Sequence, residues 1–483
     1  MISLIDAGPG TGKTFSLVYG YYKQSRQLYG RIEPTEEQEA IFQYLTEEYS
    51  QDMSVCFFAY NRSVKEKLEG VLKRTRAKVL TLHGAGLSVL IKRYAFQRQV
   101  YNRTEKHIEA LINRPLASLP WKEKSEWFAV KRVCHYLKIE ALPATQEALD
   151  YLILKYSDLA SYSLPGDTVE KAAALLSKAE LPDGTVEFAD MPWLAAKHIR
   201  APLYDLGYVD ESQDISNSTY KLLCKMCRNI IFCGDKNQAI NAFAGASEEM
   251  YQRIQSHSDA VLPLKMTQRC PPLICDHANA VRPGGIMAGP NNHEAIIRTL
   301  AKPSLPEILK GTINPANTLF IARCNSTIIN LAIYLHTKQI PFQIINKDLA
   351  DEIDRFIKKF RPASLDDLQS KLDKWIDRMS HSPNEFYAHS CQDKYSYLCS
   401  LIATCTSIDD IKRFCKEAFN QEKQGFKLTT AHGSKGLEAQ NIFIIDPPIP
   451  LSFAMNHPIA REQELNLDFV ARTRTSGDLY YVK

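Results

Sequence analysis

Eight residues near the start of the chain restrict its fold more than any other feature: Ala7-Gly-Pro-Gly-Thr-Gly-Lys13-Thr14. They depart from the phosphate-loop pattern G-x-x-x-x-G-K-[ST] only by Ala at the first position. An apolar strand precedes them and a helix start follows, the order that turns backbone N–H groups of a helix N-terminus toward an anion. Gly8, Gly10 and Gly12, with Thr11 among them, let the backbone curl around phosphate oxygens. Lys13 supplies a cation for the terminal phosphates, and the Thr14 hydroxyl can ligate Mg²⁺. Nothing is expected to precede the fold, because the first apolar run is too short for a signal peptide.

Behind such a loop the chain has to build a parallel α/β sheet. Apolar strands are predicted at Val55–Ala59, Val79–Leu82, Leu206–Val209 and Ile230–Cys233, with helical patterns between several of them. Residues 96–185 break that rhythm, being rich in Leu, Ala, Lys and Glu at helical spacing. A second α/β rhythm starts after Pro263, with strands at Thr318–Ala322, Phe342–Ile345, Ile442–Ile445 and Leu479–Val482, and it turns helical between Asp351 and Lys423. The fold class is therefore α/β: two cores of parallel sheet flanked by helices, each with a helical insertion. At 483 residues the chain has room for both. No internal repeat is visible.

Composition narrows the class further. No apolar stretch approaches the roughly 20 residues of a membrane helix, so a soluble cytoplasmic protein is expected, at the nucleoid or, for a virus, in the host cytoplasm. The twelve cysteines follow no repeating frame, which fits reduced thiols. Cys224 and Cys227 have helical spacing within an apolar segment and read as core thiols. Cys391, Cys399, Cys405 and Cys415 with His381 and His389 leave zinc as an alternative to buried thiols. The formal charge of +4 decides nothing, but residues 61–106 hold twelve Lys and Arg against three Glu, a local net of +9. That segment is either a solvated helical face or a track for a polyanion.

Asp210-Glu-Ser-Gln-Asp214 follows a predicted buried strand. A carboxylate at a strand end opposite the loop suits a Mg·ATP site, and its neighbour can deprotonate the attacking water. Loop and acidic pair together imply an NTPase.

Further segments, in order, indicate what the NTPase drives. Tyr60-Asn61-Arg62-Ser-Val-Lys65, Thr81-Leu-His83-Gly84, Asp210–Asp214, Gly234–Ala246, Thr267-Gln-Arg269-Cys-Pro, Ile321-Ala-Arg323-Cys-Asn325, Thr430-Ala-His432-Gly-Ser-Lys-Gly436-Leu-Glu438 and Glu464–Arg474 resemble the motifs of superfamily 1A DNA helicases of the UvrD/Rep/PcrA type. The resemblance runs from residue 7 to the end of the chain. It implies two RecA-like cores, 1–95 with 186–262 and 263–350 with 424–483. It also implies a helical 1B insertion at 96–185 and a reduced 2B insertion at 351–423.

The resemblance also implies roles. Lys13 and Thr14 hold nucleotide, Asp210 positions the metal, Glu211 activates water and Gln238 senses the γ-phosphate. Arg269 and Arg474 act as arginine fingers supplied in cis, and Gly436 and Glu438 fall in the nucleotide set. Tyr60, Asn61, Arg62, Thr81, His83, Phe243, Thr430 and His432 fall beside the strand, with Phe243 the base-stacking candidate. A core Phe243 and a buried His83 imidazole are the plain alternatives. Asn241, Ala244 and Gln268 depart from the family's Tyr, Arg and Tyr, and the last removes an aromatic face for adenine.

Pro34-Thr35-Glu-Glu-Gln38-Glu-Ala40 resembles the family's adenine-reading segment, here displaced to the far side of the loop. Gln38 either reads adenine or closes a helix capping box with Thr35. Residues 84–209 number 126, enough for 1B, whereas residues 324–429 number only 106, which implies a small 2B. The Lys435-Gly436-Leu437-Glu438 form points to the 3′→5′ branch. The expectation is an ATP- and Mg²⁺-dependent helicase or translocase, monomeric, acting on single-stranded DNA and single-strand/duplex junctions. An ATP-gated clamp that does not travel and an RNA motor share the same motifs.

Overall fold

The computed structural model describes residues 1–483 except 28–32, 95–97, 100, 101, 157, 160, 161, 163, 182, 242–244, 246, 312, 381–384, 423, 447, 448, 450, 452 and 457; at 94, 98, 99, 347, 386, 453, 456, 458 and 459 it describes backbone only. The chain divides into two compact units, Met1–Lys265 and Met266–Lys483.

In unit 1 the strands β1 (Ile2–Ala7), β2 (Val55–Ala59), β3 (Lys78–Thr81), β4 (Tyr204–Val209), β5 (Cys227–Gly234) and β6 (Ala260–Leu264) form one sheet in the order β3-β2-β4-β5-β1-β6. Every neighbouring pair is parallel. The inner strand β2 reads as an unbroken apolar run because both its faces are covered. Leu4, Phe58, Val209 and Phe232 pack on one face, while Ile5, Phe57, Tyr208 and Ile231 pack on the other. Helices Lys13–Gln24 and Glu36–Glu48 cover the second face. Helices Trp121–Glu140, Asp190–His198 and Asn217–Met226 contribute to the first.

Most of residues 103–198 are helical. They are pinned from within by a buried charge cluster: Arg103 bonds Asp190 at 2.9 Å and Lys138 bonds the same carboxylate at 2.7 Å. Arg103 is 1% exposed, so it adds nothing to a surface charge patch. Cys224 ends inside helix Asn217–Met226 while Cys227 opens β5, so the pair does not share the helical segment its spacing suggested. The boundary falls between them because Cys227, the residue that closes the helix, is already extended and opens the strand, whose apolar run follows from Ile230.

Unit 2 repeats the plan. Strands β7 (Ile297–Leu300), β8 (Thr318–Ala322), β9 (Phe342–Ile344), β10 (Phe426–Thr430), β11 (Ala439–Ile445) and β12 (Thr475–Val482) lie in the order β7-β12-β11-β8-β10-β9. All of them pair in parallel. Phe320, Phe443 and Tyr480 stack in a row across three neighbouring strands. The helices Lys347–Phe360, Leu365–Ser380, Glu385–Thr404 and Ile408–Ala418 bury their apolar sides in the same cluster as Phe320 and Phe443. Among the described residues no helix is long and apolar enough to cross a membrane.

Candidate nucleotide site and nucleic-acid interface

Parallel strands put all their carboxyl ends on one edge of a sheet, where ligands of open α/β folds bind. In unit 1 that edge carries the phosphate loop after β1, Asp235 after β5 and Asp210 after β4, on three adjacent strands. Gly10 and Gly12 take φ of 72° and 80°, a region open to glycine at little cost. The Thr11 hydroxyl donates to Gly8 O at 3.0 Å and Lys13 Nζ to the same carbonyl at 3.4 Å. Helix Lys13–Gln24 starts directly behind the loop, so its amino end faces whatever the loop cradles.

Thr14 Oγ1 donates to Asp210 Oδ2. A hydroxyl and a carboxylate in direct contact are a hard-oxygen pair suited to Mg²⁺, so the residues fit the metal. Asp210 is buried, and that burial, with Glu211 beside it, pushes its carboxyl above the usual range. A bound cation would relieve this.

Glu211 follows with φ 53°, a left-handed residue directly after the strand end. Its N–H donates back to Asp210 Oδ1 at 2.9 Å, and Gln213 Nε2 donates to its carboxylate. Gln213 Oε1 in turn accepts from Asp235 N at 3.0 Å, and Asp235 Oδ2 accepts from Gln238 Nε2 at 2.7 Å. The structure therefore joins Glu211 to Gln238 through two residues, Gln213 and Asp235, that were not singled out from the sequence. Both lie inside the quoted motifs, so that position was the available signal. Asn241 Nδ2 donates to Asp214 Oδ1 at 3.1 Å.

A second brace carried no sequence signal. Tyr251 OH donates to Asp6 Oδ1 at 2.8 Å, and Lys265 Nζ pairs with Asp6 at 3.1 Å and donates to Ala7 O at 2.9 Å. These contacts fix the end of β1 that feeds the loop.

Gln38 is 1% exposed. Its Oε1 accepts from Thr35 N at 3.0 Å and its backbone N–H donates to Thr35 Oγ1 at 3.3 Å, a complete capping box. Its Nε2 donates to Thr11 O at 3.4 Å and Ser16 Oγ at 3.2 Å. The amide is thus engaged with the phosphate loop, and reading adenine would require an exchange of these bonds.

On the same edge, Asn61 caps helix Arg62–Leu72 by accepting from Val64 N at 2.9 Å. Arg62 pairs with Glu66 and Lys65 with Glu69 along that helix. Thr81 Oγ1 accepts from Gly84 N at 3.0 Å. Tyr60 and His83 line a cavity of about 240 Å³ with Phe188, whose ring meets His83 edge-on at 5.3 Å. Burial lowers the His83 pKa, and burial with Asp214 nearby raises that of Tyr60 to about 12. Phe243 and Ala244 lie outside the described residues.

Unit 2 holds the remaining candidates. Arg269 bonds Glu438 through Nε at 2.8 Å and Nη2 at 2.7 Å, and donates to Thr473 O at 3.1 Å. Gly436 takes φ 83° in the turn before Glu438. Arg474 is 2% exposed, with Nε donating to Val470 O at 2.9 Å. Thr430 Oγ1 accepts from Gly433 N at 3.2 Å. His432 is shifted down to about 4 by burial and by Arg323. Among the described residues no three His, Cys, Asp or Glu side chains are grouped to hold a metal ion; His381 lies outside them.

A phosphate loop on an inner parallel strand, joined through a threonine hydroxyl to a carboxylate two strands away, defines a RecA-like P-loop nucleotide-binding core. Over residues 2–259 the sequence matches the family model of the UvrD/REP helicase N-terminal domain, and the chain belongs to that family. Among solved structures it is similar to the Arterivirus nonstructural protein 10 helicase in complex with DNA, at 10% identity and a TM-score of 0.35 over the whole of this chain and 60% of that one. A crystal structure of the Arterivirus nonstructural protein 10 helicase gives 10% identity and a TM-score of 0.34 over the whole of this chain and 59% of that one. The chain thus spans about 60% of the length of those proteins. No curated protein matches it.

Proposed function

We propose that the chain is an ATP-driven motor that moves 3′→5′ on single-stranded DNA and opens duplex at single-strand/duplex junctions. The observation that carries this reading is the contact between Thr14 and Asp210, which brings the phosphate loop and the acidic strand end into one site. Family membership supplies the load. The direction rests on the Lys435–Glu438 motif alone.

In this reading the loop amides and Lys13 bind the triphosphate. Thr14 and Asp210 would hold Mg²⁺, which when bound neutralises charge on the phosphate oxygens. Glu211 takes the proton of the attacking water, its carboxylate held in place by Gln213. Gln238 connects the γ-phosphate position to the rest of unit 1 through Asp235. Arg269 and Arg474 of unit 2 stabilise charge on the transferring phosphoryl group, for which each must leave its present partner. Tyr60, Asn61, Arg62, Thr81, His83, Phe243, Thr430 and His432 hold the strand.

The test combines ATP hydrolysis, with and without DNA or RNA oligomers, with separation of 3′-tailed and 5′-tailed duplexes and displacement of streptavidin from an end-labelled strand. Stimulation by DNA and opening of the 3′-tailed duplex are expected. Glu211→Gln should keep ATP binding and lose stimulated hydrolysis by about 10² or more. An undiminished rate in that variant, or no stimulation by any strand, overturns the reading. RNA-only stimulation reassigns the substrate, and streptavidin displacement without strand separation restricts the activity to translocation.

A further inference from the structure

The two sheets present the same corner. In unit 1, Ala59 pairs in register with Thr81; in unit 2, Ala322 pairs in register with Thr430. Each threonine opens a Thr-x-His-Gly turn closed by the same hydroxyl-to-glycine bond. Beside each, a helix starts at the strand end, at Arg62 in unit 1 and Asn325 in unit 2.

The corners differ in what closes the helix. Asn61 does so from the cap position itself. The corresponding cap residue in unit 2, Cys324, makes no side-chain cap bond. Instead Asp393, from helix Glu385–Thr404, accepts from Asn325 N at 3.1 Å through one carboxylate oxygen and from Ser326 N at 2.9 Å through the other. Next to it is a cavity of about 330 Å³ whose wall includes Asn325, Thr430 and His432. The Asn325 Oδ1 is itself buried without a hydrogen-bond partner. An anion that accepts two amides on separate oxygens at a helix N-terminus has the bonding pattern of a nucleic-acid phosphate.

We infer that Asp393 holds the place of a strand phosphate, so that loading a single strand onto unit 2 displaces this carboxylate and loosens helix Glu385–Thr404. The inference rests on the strand-binding reading of Thr430 and His432. In Asp393→Asn the carboxamide can still cap but no longer brings a charge against the phosphate.

Single-stranded oligonucleotide affinity is measured by fluorescence anisotropy for the wild-type chain, for Asp393→Asn and for Asp351→Asn, which removes an exposed carboxylate elsewhere in the same helical segment. Asp393→Asn should bind about two- to fivefold tighter than both. Hydrogen exchange on the wild-type chain should show faster exchange in Glu385–Thr404 when the strand is bound, with Asn325 and Ser326 still protected. This second measurement decides even if the variant folds poorly. Affinity equal to that of Asp351→Asn, or exchange in Glu385–Thr404 unchanged by the strand, overturns the inference alone. A wild-type chain that binds no single strand overturns the functional reading and this inference with it.

Discussion

At Glu211 a bulky side chain sits on a backbone with φ 53°, which costs about 1–2 kcal/mol relative to an ordinary turn. The carboxylate of this strained residue is held by Gln213. Gln38 shows a different economy, one amide serving both a helix cap and the phosphate loop. In Gln38→Ala we expect a loss of about 1 kcal/mol in urea unfolding, together with weaker ATP binding because the donor to Thr11 O is gone. If the ATP/GTP preference of that variant equals that of the wild type, the adenine-reading role is excluded. Lys13, Thr14, Asp210 and Glu211 were legible in the sequence because loop and acidic-pair chemistry needs contiguous residues. Lys265 and Asp393 were not, since each acts on a partner distant in sequence and leaves no local pattern.

Elements were legible where burial on both sheet faces wrote an unbroken apolar run, as in Val55–Ala59 and Thr318–Ala322, which match β2 and β8 residue for residue. The strands Ala260–Leu264, Ile297–Leu300 and Phe426–Thr430 escaped notice. The first is an edge strand paired only with β1 and contains Pro263, tolerated at an edge because one side of the ladder is unused. Ile297–Leu300 is likewise an edge strand with two exposed residues. Phe426–Thr430 carries an exposed Lys427 and merges into the motif that follows. Helix packing in unit 1 has one close contact that invites a test. A Cβ at Gly86, on helix Leu82–Tyr94, would lie 2.5 Å from Met191 O on helix Asp190–His198. Backbone cannot yield as a side chain does, so Gly86→Ala should cost about 1–3 kcal/mol, seen as a lower urea midpoint.

For the whole molecule, acid sensitivity follows from histidines buried neutral. His135 is shifted down to about 4, chiefly by burial and then by Arg132 and Lys138. In the unfolded chain it titrates near 6.5. As pH falls below 6.5 the unfolded state takes up this proton first, so the stability His135 contributes is complete above that pH and is lost on the way down to 4. At pH 5 the loss is on the order of 2 kcal/mol. His135→Gln should therefore flatten the dependence of unfolding free energy on pH between 6.5 and 4; an unchanged slope would show that the ring is not held neutral.

The matched corners of the two sheets share one design with different fastenings. In unit 1 the fastening belongs to the helix it closes, and releasing it means fraying that helix. In unit 2 it comes from a side chain 68 residues further along, and the displacement proposed for it would leave strand, turn and helix folded. One helix carries its own cap and the other borrows it from a distant part of the chain.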